Sequence, residues 1–426
     1  MRKAILPFLL LATLGDIAFG ADAIVTIKTN HENAIFRCGE MSTFEISVTD
    51  ANKVAVTSGT LKVVLKRDDN DVVSTSNFDL SLAKPMTVNG TLETPGFIHC
   101  WAYYSGQLVG RAWIAAGFDP NKIQPATRFP NDFRTWWDGE RKKLSSVPLD
   151  VQLEPVGDFD TKQAAGYRIS VMSANGERVY GFLAVPAGTG PFPALVIFPG
   201  AGSGFGGPSC QEAASRKALV LSMNVHKYPV PSKGDEAEKA LKDYLANISA
   251  KSIFNQGYKD PRTYHFYSIF LGFDRAIDYV MSRPDWDRKT LVVSGSSQGG
   301  WLALVMAGMK NDVVTAATAG VPFMGDLGRT HHHGGEVLRD LITAEGADAT
   351  IPYYAGVNFA RFVKCPVIVS VGYCDGSCFP SSVYSVYNII PSDNKKLYVD
   401  PLAGHGLTQE YRDAQTKFLA EHLKVK

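Results

Sequence analysis

The segment Gly295-Ser296-Ser297-Gln298-Gly299 contains the residues of this sequence that could most directly do chemistry. It stands between an apolar run, 291–293, that is typical of a buried strand and a helix-forming run that begins at Gly300. A G-x-S-x-G turn between a strand and a helix holds its serine in a strained, exposed position, and the glycines allow close backbone approach. The pattern predicts that Ser297 is a nucleophile, with a glycine-rich structural turn as the alternative.

A serine hydroxyl needs a base to take its proton and an acid to orient that base. In proteins with such a turn, the acid and the histidine follow the serine on turns after later strands. Asp375 follows the apolar run 366–371, and His405 lies between two glycines after another strand-like run. We therefore predict Asp375 as the acid and His405 as the base. Asp393 and Asp400 are the alternatives for the acid.

Acyl transfer through a serine also needs two backbone N–H donors for the oxyanion. One donor is usually the residue after the nucleophile, here Gln298, and the other lies in a loop after an earlier strand. Ala201, in the glycine-rich loop 199–204, is the predicted second donor. The mechanism expected from these residues is two-step acyl transfer without any cofactor.

The same loop also fits a dinucleotide-binding pattern, through Gly202, Gly204 and Gly207. No acidic residue ends the next strand-like run, 218–225, so this alternative is disfavoured. A zinc site is a second alternative, because His331, His332, His333 and Glu336 are suitable ligand types. Adjacent histidines cannot all face one ion from regular structure, so we expect a solvated or substrate-facing loop and no metal.

Composition and the N-terminus indicate an exported protein and disfavour nucleic acid as a partner, with a local basic patch as the alternative. The 43 Lys and Arg residues nearly balance the 42 Asp and Glu residues, which excludes an overall field that would attract nucleic acid. Arg2 and Lys3, the apolar run 4–14 and the small residues at 18–20 predict a signal peptide, residues 1–20. A retained membrane anchor is the alternative. We expect a secreted or periplasmic protein with no integral membrane span.

An oxidising compartment would allow the six cysteines to form disulfides. Cys38 and Cys100 stand alone in the first hundred or so residues and are predicted to pair, with two buried free thiols as the alternative. Cys374 and Cys378 bracket Asp375, and the favoured interpretation is a local disulfide that clamps the acid loop, with a metal-binding pair as the alternative. Cys210 and Cys365 have no assignable partner.

The length and 45% hydrophobic content favour two domains of unequal size. Short alternating runs separated by turn residues predict an immunoglobulin-like β-sandwich over residues 21–118. From residue 119 to 426, buried strands alternate with helices such as 270–281, which predicts an α/β fold of the α/β-hydrolase type. Four tryptophans could stack on sugars but are expected to fill the core or an interface: Trp101, Trp136, Trp137 and Trp301.

Several motifs after about residue 130 occur in a fixed order. They include Gly181-Phe182-Leu183-Ala184-Val185-Pro186, Val321-Pro322-Phe323-Met324-Gly325-Asp326 and Asp375-Gly376-Ser377-Cys378-Phe379-Pro380. With these motifs the chain resembles the acetyl xylan esterase and cephalosporin-C deacetylase family of carbohydrate esterases. The resemblance implies that Ser297, Asp375 and His405 form a triad. It also implies removal of O-acetyl groups from xylo-oligosaccharides or related acylated sugars.

Two features depart from the family pattern. Members usually carry His-Gly-Tyr where this chain has Pro199-Gly200-Ala201. A side chain near the acyl pocket is therefore missing, and the sequence leaves the size of the acyl group open. The sandwich is absent from the compact members, so the oligomeric state is left open as well. Three other functions stay as alternatives: a different α/β hydrolase such as a glucuronoyl esterase or serine peptidase, a carbohydrate-binding protein without catalysis, or a glycan- or partner-binding role of the first domain.

Overall fold

The computed structural model describes residues 23–82, 84–229, 234–248, 252–328 and 336–424. The predicted signal peptide, residues 1–20, and His331 to His333 lie outside the described residues, as does the side chain of Glu336. Within the described residues, no helix combines the length and apolar composition that crossing a membrane requires.

The N-terminal part consists of short strands in two sheets. The strands are β1 (Ile24–Thr29), β2 (Ile35–Phe36), β3 (Ser42–Thr49), β4 (Thr60–Arg67), β5 (Asp71–Asp79), β6 (Thr87–Gly90), β7 (Gly96–Ser105) and β8 (Val109–Phe118). One sheet has the order β1-β3-β6 and the other β2-β8-β7-β4-β5. Alternate side chains such as Phe44, Leu65 and Cys100 point between the sheets and form a shared apolar core. These sheets cover the region in which the alternating runs predicted a sandwich.

The C-terminal part alternates strands and helices. Its strands are β9 (Gln152–Pro155), β10 (Ala164–Met172), β11 (Arg178–Pro186), β12 (Phe192–Phe198), β13 (Leu219–Met223), β14 (Trp286–Ser296), β15 (Ala316–Gly320), β16 (Val367–Gly372) and β17 (Lys395–Asp400). Its helices are α1 (Phe133–Leu144), α2 (Cys210–Arg216), α3 (Gly234–Asn247), α4 (His265–Ser282), α5 (Gln298–Met309), α6 (Glu336–Thr343), α7 (Ala347–Thr350), α8 (Gly356–Ala360), α9 (Pro380–Ile389) and α10 (Gln409–His422).

These strands form one sheet in the order β17-β16-β15-β14-β12-β13-β11-β10-β9. Neighbours from β13 to β17 pair in parallel, whereas β9, β10 and β11 pair antiparallel. The central strands are continuous apolar runs because helices cover both of their faces. The sheet has the α/β-hydrolase arrangement that the sequence predicted, and it brings the C-terminal ends of β12, β14, β16 and β17 to one edge.

The disulfide predictions are wrong, because all six cysteines are free thiols. Cys100 faces the sandwich core, whereas Cys38 lies in a loop where its backbone N–H donates to Asp119. The Cys374 thiol donates to the carbonyl of Pro401, and the Cys378 side chain is buried separately near Asp375 and His405. A disulfide needs two Cβ atoms within about 4.5 Å and pointing toward each other, which sequence spacing alone does not guarantee.

The five-stranded sheet of the N-terminal part packs directly on the larger sheet's turns. Phe97 of β7 is fully buried against Tyr373 and Tyr384, with ring centroids 5.0 Å and 5.7 Å away. His99 contacts Phe379 edge to face at 5.7 Å. Trp137 and Trp301 are buried in the main core, as expected. The interface therefore lies against the turn that carries Asp375.

Candidate active site

Ser297 lies between β14 and α5, at the edge where the parallel strands end. Its backbone has φ 56° and ψ −122°, a conformation that non-glycine residues rarely adopt. The backbone N–H of Ser297 donates to the carbonyl of Gly320 on β15 at 2.8 Å, which holds the turn in place. Strain of this kind persists only where the surrounding structure enforces it, and it commonly marks functional sites.

The two glycines of the motif are required by close backbone contacts. A Cβ atom on Gly295 would lie 2.3 Å from the carbonyl carbon and oxygen of Gly299. A Cβ atom on Gly299 would lie 2.3 Å from the carbonyl oxygen of Phe198, the last residue of β12. Both separations are too short for a methyl group. The turn can therefore press against the end of β12 only because both positions lack a side chain.

The structure brings Ser297, His405 and Asp375 into one hydrogen-bonded row. His405 Nε2 lies 3.1 Å from Ser297 Oγ, on the side where it can accept the hydroxyl proton. His405 Nδ1 lies 2.9 Å and 3.1 Å from the two carboxylate oxygens of Asp375. The three residues come from turns after β14, β16 and β17, which the parallel order places at one edge.

Asp375, rather than either alternative acid, contacts the histidine. It is fully buried, and its Oδ1 also accepts hydrogen bonds from the backbone N–H groups of Ser377 and Cys378, each at 2.8 Å. Asp400 instead accepts from backbone N–H groups of its own loop, and Asp393 lies exposed in a bend. The buried carboxylate is thus fixed by its own turn and directed at the imidazole.

The pKa of His405 is raised above its ordinary value of 6.5. Its hydrogen bond to Asp375 is the main cause, partial burial of the ring opposes the shift, and the negative charge of Asp375 adds to it. A raised pKa means that the imidazole holds a proton more strongly once it has accepted one. This property suits a base that must store the serine proton during a reaction.

The predicted oxyanion donors lie on two facing segments. Gln298 is the first residue of α5, so its backbone N–H has no acceptor inside the helix and lies at the positive end of the helix dipole. Its side-chain Nε2 donates to the carbonyls of Pro199 and Gly200 at 3.4 Å each, which ties the helix start to the loop that carries Ala201. Ala201 lines a cavity of about 640 Å³ together with Phe205, Leu241 and Leu245.

Residues 120–422 match the acetyl xylan esterase family AXE1. The chain belongs to this family. A curated relative, acetyl esterase Axe7A from Xylanibacter ruminicola, is 28% identical over 442 aligned residues, covering 100% of this chain and 98% of the relative. As a family member, the chain is a carboxylic ester hydrolase of the carbohydrate esterase class.

Two solved structures of acetyl xylan esterases have the same fold as the C-terminal part. The enzyme from Paenibacillus sp. R4 has a TM-score of 0.60 and 24% identity, covering 71% of this chain and 98% of that enzyme. Acetyl xylan esterase 1 from Thermoanaerobacterium sp. JW/SL YS485 has a TM-score of 0.59 and 23% identity, covering 71% and 97%. Axe7A, by contrast, aligns with the whole chain.

In this acetyl xylan esterase family member, the glycine-rich loop has a packing role that the sequence did not reveal. A Cβ atom on Gly204, which has φ +82°, would lie 2.2 Å from Asn224 Oδ1. Asn224 Oδ1 accepts from the backbone N–H of Phe205 at 2.7 Å, so the loop is held against the end of β13. Gly204, the middle glycine of the dinucleotide-like pattern, is therefore required by this close contact.

Cys378 is a neighbour of the triad that sequence reasoning assigned elsewhere. A thiol, carboxylate or imidazole atom from each of Cys378, Asp375 and His405 lies within 4.8 Å of the others. Burial and the charge of Asp375 raise the pKa of the thiol well above its ordinary value, so the thiol stays protonated. Such donor types can bind a metal ion, but here Asp375 and His405 already hydrogen bond to each other. No spacing rule would have placed this thiol beside Ser297.

Proposed function

We propose that this chain is a secreted serine carbohydrate esterase that removes O-acetyl groups from xylo-oligosaccharides or related acylated sugars. The observation that carries the proposal is the hydrogen-bonded row Asp375–His405–Ser297, with the serine held at a strained turn. Each member stands at a distance suited to the transfer of the serine proton. Membership of the acetyl xylan esterase family supports an acetylated carbohydrate as the substrate.

In the first step, His405 Nε2 accepts the proton of Ser297 Oγ while that oxygen attacks the ester carbonyl carbon. The carbonyl oxygen becomes an oxyanion, which the backbone N–H groups of Gln298 and Ala201 stabilise. Asp375 holds the imidazole in the tautomer with Nε2 free and stabilises the imidazolium that forms. The imidazolium then gives its proton to the departing sugar oxygen, leaving an acetyl group on Ser297.

In the second step, water attacks the acetyl-serine carbonyl while His405 accepts a proton from that water. Collapse of the second oxyanion breaks the bond to Ser297 Oγ, which regains its proton from His405. The products are acetate and the free enzyme. Each step uses the same row of hydrogen bonds, so removal of any member should slow both.

The cavity beside Ala201 supports binding of the substrate close to this row. It has a volume of about 640 Å³, and its wall joins the loop of Pro199 and Gly200 to apolar residues of α3, Leu241 and Leu245. Glu238 and Lys242 on the same helix add polar groups to the lining. An apolar cavity with a few polar groups is the usual form of a small-molecule site.

A Ser297→Ala variant tests the nucleophile. We expect acetate release from an acetylated xylo-oligosaccharide to fall by roughly 10⁶-fold, because loss of a serine nucleophile removes the covalent route. Ser296→Ala is the matched control, since it changes the neighbouring serine and leaves both glycines in place. A Ser297→Ala protein with wild-type activity would contradict the mechanism.

A substrate panel tests the ester that is cleaved. Acetate release from acetylated xylo-oligosaccharide is compared with cleavage of a methyl glucuronate ester and of a peptide, using wild-type protein. We expect the acetylated sugar to be turned over with the highest kcat/KM. Faster turnover of the glucuronate ester or the peptide would favour the other hydrolase types.

Export and domain division belong to the same proposal. We propose that residues 1–20 are a signal peptide cleaved after Gly20, that residues 21–118 form an immunoglobulin-like sandwich domain and that residues 119–426 form the catalytic domain. The two apposed sheets with a core of their own support the second statement. N-terminal sequencing of the exported protein should begin at Ala21, and a start at Met1 would contradict the cleavage.

A further inference from the structure

Three aromatic rings form a row on the outer face of the N-terminal five-stranded sheet. Trp113 of β8 and Trp101 of β7 are direct cross-strand partners, with ring centroids 4.8 Å apart and an interplanar angle of 18°. Tyr103 lies two residues beyond Trp101, at 6.1 Å and 8°. We call Trp113, Trp101 and Tyr103 the aromatic row.

Strand alternation explains why these rings face outward. Cys100, Ala102 and Tyr104 point into the sandwich core, so Trp101 and Tyr103 point away from it. Both tryptophans are half-buried, and Tyr103 is 38% exposed. The row therefore presents ring surface to solvent without contributing to the core of its own domain.

The aromatic row begins at the turn that carries the predicted catalytic acid. Trp113 Nε1 donates to the carbonyl of Cys374 at 3.2 Å, and Cys374 directly precedes Asp375. The thiol of Cys374 contacts the carbonyl of Pro401 at 3.4 Å, in the loop that carries His405. Leu402, the next residue of that loop, is 74% exposed. Hydrogen bonds thus connect the aromatic row to the two loops that carry Asp375 and His405.

Polar and charged groups border the aromatic row. Trp101 Nε1 donates to Asp69 Oδ1 at 2.6 Å, which fixes the indole, and Lys66 Nζ lies 3.4 Å from the same oxygen. Lys66 Nζ is also 5.7 Å from the centre of the Trp101 ring. Arg111 is exposed and is the cross-strand partner of Tyr103. Aromatic rings offer planar apolar contact, while these neighbours can hydrogen bond to hydroxyl groups.

We propose that the aromatic row binds the chain of an oligosaccharide whose acetylated residue is held at Ser297. This inference rests on the proposed function and assigns a substrate-binding role to the N-terminal domain. Pyranose rings have apolar C–H faces edged by hydroxyls, which matches rings bordered by Asp69, Lys66 and Arg111. At about 3.3 Å per residue, β7 extends about 13 Å from His99 at the interface to Tyr103, which suits a chain of sugars rather than one.

The test compares a long and a short substrate in the full-length protein. The kcat/KM for an acetylated xylo-oligosaccharide is divided by that for 4-nitrophenyl acetate, in wild type, Trp101→Ala and Tyr103→Ala. We expect the ratio to fall about tenfold in each variant, equal to about 1.4 kcal/mol, through a higher KM for the oligosaccharide. Val54→Ala is the control, because Val54 is 61% exposed and lies on the loop after β3. Strand β3 belongs to the other sheet of the same domain. Its ratio should equal that of wild type.

A second measurement keeps the inference separate from the proposed function. Titration calorimetry with unacetylated xylohexaose measures binding without any ester cleavage, and we expect the affinity to fall about tenfold in Tyr103→Ala. Equal ratios and equal affinities in wild type and Tyr103→Ala would overturn the inference. If wild-type protein cleaves 4-nitrophenyl acetate but releases no acetate from the oligosaccharide, the proposed function fails. The affinities for xylohexaose then test the aromatic row by themselves. Weaker binding by Tyr103→Ala would support sugar binding by the aromatic row, and equal or absent binding would overturn it.

Discussion

Substitution of Gly299 by alanine would insert a methyl group where the start of α5 meets the end of β12. The new Cβ would lie 2.3 Å from the carbonyl oxygen of Phe198, whereas real Cβ contacts essentially never fall below 3.0 Å. The shortfall between these two distances requires a shift of about 0.7 Å between the two segments. Gly299 does not have a positive φ, so alanine strains the contact and not its own backbone.

The shift would act on the two predicted oxyanion donors. Gln298 immediately precedes Gly299, and Ala201 follows Phe198 by three residues, so the segments that carry the donors are pushed apart. A misplacement of about 1 Å costs on the order of 100-fold in rate, and loss of a whole donor costs about 100- to 1,000-fold. We therefore expect kcat for an acetyl ester to fall by about 100-fold, with overpacking that lowers the free energy of unfolding by about 1–3 kcal/mol.

The assay measures kcat on 4-nitrophenyl acetate, the rate of Ser297 labelling by a fluorophosphonate and the urea midpoint of the same protein. Gly206→Ala is the matched control, because Gly206 lies just after the glycine-rich loop 199–204 that carries Ala201, and a Cβ atom added to it would have no other atom within 4 Å. A Gly299→Ala protein with wild-type kcat and an unchanged midpoint would refute the close contact. A lower midpoint with wild-type kcat would refute its catalytic consequence.

Three further predictions concern the acid, the pH dependence and the interface. Asp375→Asn should lower kcat by about 10⁴-fold, because the histidine loses the carboxylate that fixes its tautomer. Asp375 raises the pKa of His405, and only the neutral imidazole can act as a base. In a pH–rate profile, the acid limb of kcat/KM should therefore lie above pH 6.5 in wild type and move to lower pH in Asp375→Asn. An acid limb at the same pH in both proteins would contradict this cause. Phe97→Ala should lower the free energy of unfolding by about 3–5 kcal/mol in urea titrations, because a fully buried ring between Tyr373 and the sandwich is lost. A loss below about 0.5 kcal/mol, which is typical of surface substitutions, would show that this interface adds little stability.

Local patterns predicted much of the α/β fold. The apolar runs at 194–198 and 291–293 lie within β12 and β14, and all but the first residue of the run 366–371 lies within β16. The helical run 270–281 lies within α4. A strand buried on both faces must be apolar along its whole length, so such runs are visible without knowledge of their neighbours. Their order along the chain also indicated parallel pairing, because parallel strands need long connections.

The elbow was predictable for the same local reason. Its strained turn and its close contacts require glycine at positions 295 and 299, so the turn can be recognised from the five consecutive residues 295–299. The order of serine, aspartate and histidine narrowed the other two positions. The choice of Asp375 over Asp393 and Asp400 rests on a contact between two loops. Its position after a buried strand favoured Asp375, and the resemblance in the acid loop supported that choice before any distance did.

The cysteine pairs could not be predicted from local sequence patterns. Spacing and an exported protein suggested the pairs Cys38–Cys100 and Cys374–Cys378, yet all of these thiols are free. Side-chain direction decides whether two thiols meet, and direction depends on strand register and on turn geometry. The same argument applies to Cys378, which a tight turn brings beside Asp375 and His405.

The sequence by itself determined which residues could be nucleophile, base and acid, because each belongs to a motif that a turn or a buried strand imposes locally. The tertiary structure decided how the N-terminal sheet meets the catalytic loops. Trp113 is 261 positions from Cys374 in the chain, and no local pattern relates them. Packing of Phe97 and His99 on the turn after β16 fixes that contact and thereby aligns the aromatic row with the loops of Asp375 and His405.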